Sequence, residues 1–201
     1  INSNIIYDNN FIIFVDNKNK LQLFDYNFKN IKTIIFTNKN FFKDLNFKIT
    51  SSGENIFIAT KNGKLFSVNY LNEKKNWEIN LGVPIVSNLV SYKKNIFLLN
   101  ANSKIFSINS FDGIINWSYE TVSENFKSLN SYNMLIFRNI LVFSNDNGDL
   151  IAINLLKNSI IWTLNLRDNS TIDQGKIFEI LNSSIDKQYL YISLKNGDFY
   201  K

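Results

Sequence analysis

A segment running from a turn residue to a tryptophan recurs along this chain, and no other sequence feature restricts the fold as much. Gly63-Lys64-Leu65-Phe66-Ser67-Val68-Asn69 leads to Trp77, Ser103-Lys104-Ile105-Phe106-Ser107-Ile108-Asn109 to Trp117, and Gly148-Asp149-Leu150-Ile151-Ala152-Ile153-Asn154 to Trp162. In these three copies the turn residue precedes the tryptophan by fourteen positions. A degenerate first copy, Asn19-Lys20-Leu21-Gln22-Leu23-Phe24-Asp25, has Thr33 where tryptophan is expected, and a fifth opens at Gly197-Asp198-Phe199-Tyr200. Turn positions 19, 63, 103, 148 and 197 lie 44, 40, 45 and 49 residues apart, the period of a four-stranded propeller blade rather than of a helical repeat.

The residues around each turn agree with strands. A β-branched and aromatic run precedes it, as in Phe11 to Val15, Ile56 to Ala59, Ile96 to Leu99, Ile140 to Phe143 and Tyr189 to Leu194. An alternating run follows, as in Leu65-Phe66-Ser67-Val68. Asn62-Gly63, Asn147-Gly148 and Asn196-Gly197 predict two-residue hairpins, because this dipeptide supplies the positive φ angles such turns need. A third strand carries each tryptophan, and a less regular fourth is expected near Ile85 to Val90, Asn133 to Phe137 and Lys176 to Leu181. The near-continuous apolar runs predict strands covered on both faces, as when blades stack side by side. No window sustains the i, i+3, i+4 spacing of a helix, so Ser123 to Tyr132 reads as loop. The expectation is all-β: residues 1–201 form a single β-propeller segment of four to five four-stranded antiparallel blades, part of a ring of seven or eight. The chain opens Ile1-Asn2-Ser3 and stops within a strand pattern, so it reads as a piece of a longer protein, with any signal peptide or lipid anchor outside it.

Composition narrows the chemistry. With no Cys and no His among 201 residues, thiolate catalysis, imidazole bases and nearly all transition-metal sites are excluded from this segment. Acids such as Asp173, Glu179 and Asp186 are scattered, and the seven glycines stand apart, so neither a carboxylate pair nor a phosphate-binding loop is present. Asn145-Asp146-Asn147-Gly148-Asp149 has the flavour of a calcium loop but puts Phe143 where an oxygen ligand belongs. The reading is no catalytic, cofactor-binding or metal-binding residues, and no enzyme. A net charge of +5 invites nucleic acid, yet the lysines are dealt singly with Asp8, Asp16, Asp25 and Asp44 interleaved, so no basic stripe forms. No apolar run reaches the roughly 20 residues that cross a bilayer. The three tryptophans could line a cofactor or sugar site, but their fixed offset makes them one structural part used repeatedly, each expected to wedge a ring between blades while its indole nitrogen finds a carbonyl.

Gly148-Asp149-Leu150-Ile151-Ala152-Ile153-Asn154 with Trp162, and Asp112-Gly113-Ile114-Ile115-Asn116-Trp117, resemble the tryptophan-docking propeller repeat named after pyrroloquinoline quinone enzymes. Within that family, Ser128-Leu129-Asn130-Ser131, Asn145 to Trp162 and Ser170-Thr171-Ile172-Asp173 look most like the propeller lipoproteins of the outer-membrane β-barrel assembly machinery. The resemblance implies blade docking by Trp77, Trp117 and Trp162 around Gly63, Gly148 and Gly197. It further implies a scaffold at the periplasmic face of the outer membrane that contacts a barrel-assembly subunit through Phe126, Lys127, Leu129, Asn130, Asp173 and Glu179. Leu129 matches a partner-contacting leucine, Asn130 falls where the family has arginine, Lys127 replaces a leucine, and Glu179 falls near an aspartate. The bland alternative makes these segments ordinary connections between blades. Two other functions stay open: a fragment of a quinone-dependent dehydrogenase, and a generic propeller sensor or binding module.

Overall fold

The computed structural model describes residues 1–37, 46–121, 133–145, 149–165, 180–186, 189–194, 197 and 199–201. Their strands form five sheets, each an antiparallel run of consecutive strands. The first holds β1 (Ile6–Asp8), β2 (Phe11–Val15), β3 (Leu21–Phe24) and β4 (Asn30–Ile34). The second holds β5 (Lys48–Ser52), β6 (Asn55–Ala59), β7 (Lys64–Asn69) and β8 (Lys74–Asn80). In the third are β9 (Val90–Tyr92), β10 (Asn95–Leu99), β11 (Lys104–Asn109) and β12 (Ile115–Glu120). The fourth comprises β13 (Met134–Phe137), β14 (Ile140–Ser144), β15 (Asp149–Asn154) and β16 (Ser159–Asn165), and the fifth β17 (Ile180–Asp186), β18 (Tyr189–Leu194) and β19 (Phe199–Tyr200). These are propeller blades, and no helix occurs among the described residues.

The strand after each tryptophan opens the next sheet instead of closing its own, since β9 is the far edge of the third sheet from β12 and β13 the far edge of the fourth from β16. The strand expected near Ile85 to Val90 begins only at Val90. Of the segment expected as strand at Lys176 to Leu181, only residues 180 and 181 are described, at the start of β17.

The chain divides into two compact units: Ile1–Ile85 with Ser91–Phe97 and Phe106–Ser118, and Val86–Val90 with Leu98–Ile105 and Tyr119–Lys201. In the first unit a core forms between the first two sheets from Ile13, Val15, Leu21, Leu23 and Ile34 on one side and Ile49, Ile56, Ile58, Phe66 and Val68 on the other. Each such side chain contributes about 1.5–3 kcal/mol by leaving water. Phe36 closes the core edge-on against Phe47 and Phe66, with ring centroids 5.9 and 5.5 Å away. Strands β6, β7, β10, β11, β14 and β15 bury four successive residues each, so both faces of these sheets are covered. Strands β2 and β3 alternate, as a sheet covered on one face does.

The turn between the second and third strands of the second blade differs from the two-residue hairpin expected of Asn62-Gly63. Gly63 N donates to Thr60 O at 3.1 Å and Thr60 N to Lys64 O at 2.8 Å, which makes a three-residue loop whose last residue alone has positive φ. That residue is Asn19 (φ 59°), Gly63 (89°) and Ser103 (54°) in the first three copies, and Gly197, at the same repeat position, has φ 94°. At Gly63 only glycine fits, because a Cβ would stand 2.4 Å from Val83 O. Gly148 lies outside the described residues. The residue before the loop holds the turn: the side chains of Asp16, Thr60, Asn100 and Asn145 accept from the backbone N of Lys20, Lys64, Lys104 and Asp149 at 2.9–3.0 Å. Burial pushes the Asp16 carboxyl up, but the amides of Lys20, Gln22 and Lys18 outweigh it and leave it below the usual carboxylate range. Two-residue turns do occur, one hairpin earlier, at Asn9-Asn10, where both residues have positive φ.

Candidate interaction surface

Two sets of side chains fasten one blade to the next. The inner set is a Ser-Asn pair ahead of the first strand. In the first unit, Ser3 Oγ accepts from Val15 N at 2.8 Å, while Asn4 donates to Ile49 O at 3.0 Å and accepts from Ile49 N at 2.8 Å. In the second unit, Ser87 Oγ accepts from Leu99 N at 2.8 Å, and Asn88 makes the same two-way bond with Met134 at 3.0 and 2.7 Å. Each asparagine side chain thus presents an amide to an edge strand as another strand would. In so asparagine-rich a chain the role of this recurring dipeptide shows only with the strand edges in view.

The outer set includes the tryptophan position. Register puts Trp77 opposite Ser67 and Ser67 opposite Phe57, and the small serine lets the indole reach across it to Phe57, with centroids 5.8 Å apart. Trp77 Nε1 donates to Ser110 O at 3.1 Å, in the turn between β11 and β12. The ring packs so closely on this turn that a Cβ on Gly113 would lie 2.9 Å from Trp77 Cδ2 and Cε3. Trp117 lies 5.9 Å from Phe97 and is half-buried, and Trp162, opposite Ala152, is 39% exposed. In each sheet whose full register is resolved, a bulge falls beside the docking residue, at Leu23/Phe24, Ser67/Val68 and Ala152/Ile153.

That bulge corrects the sequence alignment in the first blade. Leu23, the counterpart of Ser67, pairs with Lys32 and not with Thr33. Lys32 therefore holds the tryptophan position. Its Nζ donates to Tyr70 O at 3.0 Å and Leu71 O at 2.9 Å, Tyr70 being the counterpart of Ser110. It also pairs with Glu73 at 3.2 Å, the residue at the repeat position of Gly113. Fourteen-residue counting missed this because the first blade's outer turn is one residue shorter.

The outer turns carry apolar side chains in solvent. Asn69, Asn109 and Asn154 each accept from the backbone N two residues on, at 2.8–2.9 Å, and that residue is Leu71, Phe111 or Leu156. All three are exposed, as are Tyr26 and Phe28 on the first blade's turn. The candidate partner residues Phe126, Lys127, Leu129, Asn130, Asp173 and Glu179 lie outside the described residues. Among the described residues no group of three or more Asp or Glu could hold a metal ion, and no helix is long and apolar enough to cross a membrane. A cavity of about 10 Å³ in the second unit, lined by residues including Leu135, Phe143, Leu150 and Ile192, has room for no more than a water.

The family model described as outer membrane protein assembly factor BamB, built on the PQQ-type repeat, matches residues 36–199. The chain belongs to this family. Three solved structures show the same fold. BamB from Moraxella catarrhalis superposes with a TM-score of 0.70 at 14% identity, covering 98% of this chain and 56% of that one. The computationally designed protein Ika8 gives 0.71 at 9%, covering 97% and 56%. BBS1N, solved in complex with ARL6DN, gives 0.68 at 12%, covering 98% and 62%. This BamB-family chain thus spans little more than half the length of the structures it resembles. The fold match extends to 1124 solved chains, far too many for fold alone to fix a function. No curated protein matches it in sequence.

Proposed function

We propose that this BamB-family chain is a non-enzymatic scaffold that assists the assembly of outer-membrane β-barrel proteins from the periplasmic face of that membrane, held there by a lipid anchor on the full-length protein. The family match over residues 36–199 carries the reading. The fold supports it physically: stacked sheets fixed by backbone-directed latches give rigid blades, and rigid blades present turns for binding a partner without ordering them first. The partner is a barrel-assembly subunit, met through Phe126, Lys127, Leu129 and Asn130 in one connection and Asp173 and Glu179 in the next. The test is capture of that subunit by full-length protein carrying Leu129→Arg and Glu179→Arg. Capture is expected to fall by tenfold or more, on the order of 1.4 kcal/mol or greater, with an unchanged melting temperature. Undiminished capture by the folded double variant would remove these segments from the interface.

A further inference from the structure

Asparagine is at home in the left-handed region that strains Phe28 (φ +59°), and Asn9, Asn10, Asn19 and Asn158 occupy it at turns. The same short side chain brings a chemical liability. The backbone nitrogen of the next residue can attack the side-chain carbonyl carbon and close a five-membered imide ring. The reaction is fastest before glycine, whose missing side chain leaves the nitrogen open, and next before serine.

Of the Asn-Gly steps, Asn62-Gly63 lies wholly within the described residues, and the fold closes it. Gly63 N donates to Thr60 O at 3.1 Å, and Asn62 Oδ1 accepts from Thr60 Oγ1, so the attacking nitrogen and its target are both tied to the residue before the loop. Gly63 is also buried against Val83, which keeps the turn from swinging. Asn102 and Asn109 precede serines whose amides are held likewise, Ser103 N donating to Asn100 O at 3.0 Å and Ser110 N to Lys94 O at 2.9 Å.

Asn182-Ser183 differs. Ser183 N donates to Oδ1 of Asn182 itself at 2.9 Å, so the side-chain carbonyl is folded onto the nitrogen that would attack it. The carbonyl carbon stands one bond of about 1.2 Å from that oxygen, which brings the reacting atoms near the roughly 3–3.5 Å of a near-attack geometry. The surroundings favour the reaction as well. A register shift between Ile180 and Asn182 breaks the β17–β18 ladder beside the site, where the backbone must turn to form the ring. Asn182 is exposed, so water reaches it.

We infer that Asn182 is a self-modification site, whose amide converts to a succinimide and then to aspartate or isoaspartate. Ser183 N gives up its proton to solvent base and bonds to Asn182 Cγ; the Cγ–Nδ2 bond breaks, and the amide leaves as ammonia after taking a proton from solvent. Water then adds to one of the two imide carbonyls. Opening at one returns the ordinary main chain with an aspartate side chain, and opening at the other routes the main chain through the side-chain carbon. The reaction needs water alone, with no oxidant, reductant or cofactor. Either product puts a new carboxylate on the strand that carries Asp186. Isoaspartate also adds a backbone carbon to β17, which disturbs the pairing of Ser183 to Asp186 with Tyr189 to Ile192.

The test incubates the full-length protein with and without urea and follows Asn182 and Asn62 by peptide mapping with mass spectrometry. In the folded protein Asn182 is expected to convert about tenfold or more faster than Asn62. In urea the order is expected to reverse, because the unfolded chain keeps only the intrinsic preference for glycine. The product at Asn182 is expected to be a mixture of aspartate and isoaspartate, and its rate to rise with pH because the attacking nitrogen must be deprotonated. Conversion of Asn62 ahead of Asn182 in the folded protein, an Asn182 that stays intact unless the chain is unfolded, or aspartate without isoaspartate would each overturn the inference.

Discussion

Replacing Gly113 with alanine tests whether the outer latch is a close steric fit. The added Cβ would stand 2.9 Å from two carbons of the Trp77 ring and 3.3 Å from Ile79 Cγ2, well inside the 3.5–4.0 Å at which carbons sit comfortably. The backbone is also at φ +77°, which costs a non-glycine residue roughly 1–2 kcal/mol. Overpacking adds about 1–3 kcal/mol, so Gly113→Ala is expected to destabilise by about 2–5 kcal/mol. Gly53→Ala separates the two contributions, since Gly53 has φ +59° but nothing within 4 Å of its would-be Cβ. It is expected to cost only the backbone part, and both changes gain equally from the stiffer unfolded chain. Urea unfolding followed by far-ultraviolet circular dichroism gives both values, provided the slope m is unchanged. In a Trp77→Ala background the Gly113→Ala penalty is expected to drop to that of Gly53→Ala, a coupling of about 1–3 kcal/mol. Equal costs for the two glycines, or a penalty indifferent to Trp77, would refute a latch made by ring-on-backbone contact.

Lys32→Ala is expected to cost about 1–2 kcal/mol through its bonds to two carbonyls, with less than about 1 kcal/mol of coupling to Glu73 because that pair is partly exposed; a double-mutant cycle at low and high salt measures both. Trp117→Ala is expected to cost about 3 kcal/mol in the same unfolding assay, and a loss below about 1 kcal/mol would free the ring for a binding role. Phe28→Gly is expected to raise stability by about 1 kcal/mol, a rise in melting temperature being the readout. The Glu78 carboxyl is held low by hydrogen bonds from Lys64 and Lys75, and Asp16 is also depressed. Groups depressed in the folded state stabilise it above their unfolded values and lose that contribution as pH falls through the folded ones, so stability should decline below about pH 4. Asp16→Asn with Glu78→Gln should flatten that decline, and asparagine at Asp16 should keep the turn as it does at Asn100.

The four-stranded blades and their buried central strands were legible because a repeat constrains every copy at once, and Val68, Ile108 and Ile153 could be aligned by eye; the strand after each tryptophan was assigned to the wrong blade, because spacing alone does not say which neighbour an edge strand joins. Turn type was not. Asn-Gly favours two positive φ angles in isolation, but in the second blade the preceding Thr60 side chain captures the loop and leaves Asn62-Gly63 as its last two positions, with Gly63 alone at positive φ. Thr33 was read at the first blade's tryptophan position in place of Lys32 because the outer turn there is one residue shorter than in the other blades, a difference that leaves no mark in composition. The inner latches at Asn4 and Asn88 escaped for a related reason: an asparagine that completes a neighbouring sheet looks, in an Asn-rich chain, like any other. The exposure of Phe111 and Leu71 was likewise invisible, since apolar residues at a turn read equally well as strand ends.

The interchange of Trp77 and Lys32 has a consequence for how such blades are counted and altered. An indole N–H and an ammonium share little except a donor at the end of a long side chain, yet both reach the same turn carbonyl, that of Ser110 or Tyr70. What each seam inherits is therefore an address, the residue next to the bulge, and the side chain delivered there is free to change with its recipient, glycine under a ring and glutamate beside a cation. Searches that count tryptophans will overlook blades of the second kind, and grafting one blade onto another will succeed only when the donor and the turn that receives it are moved together.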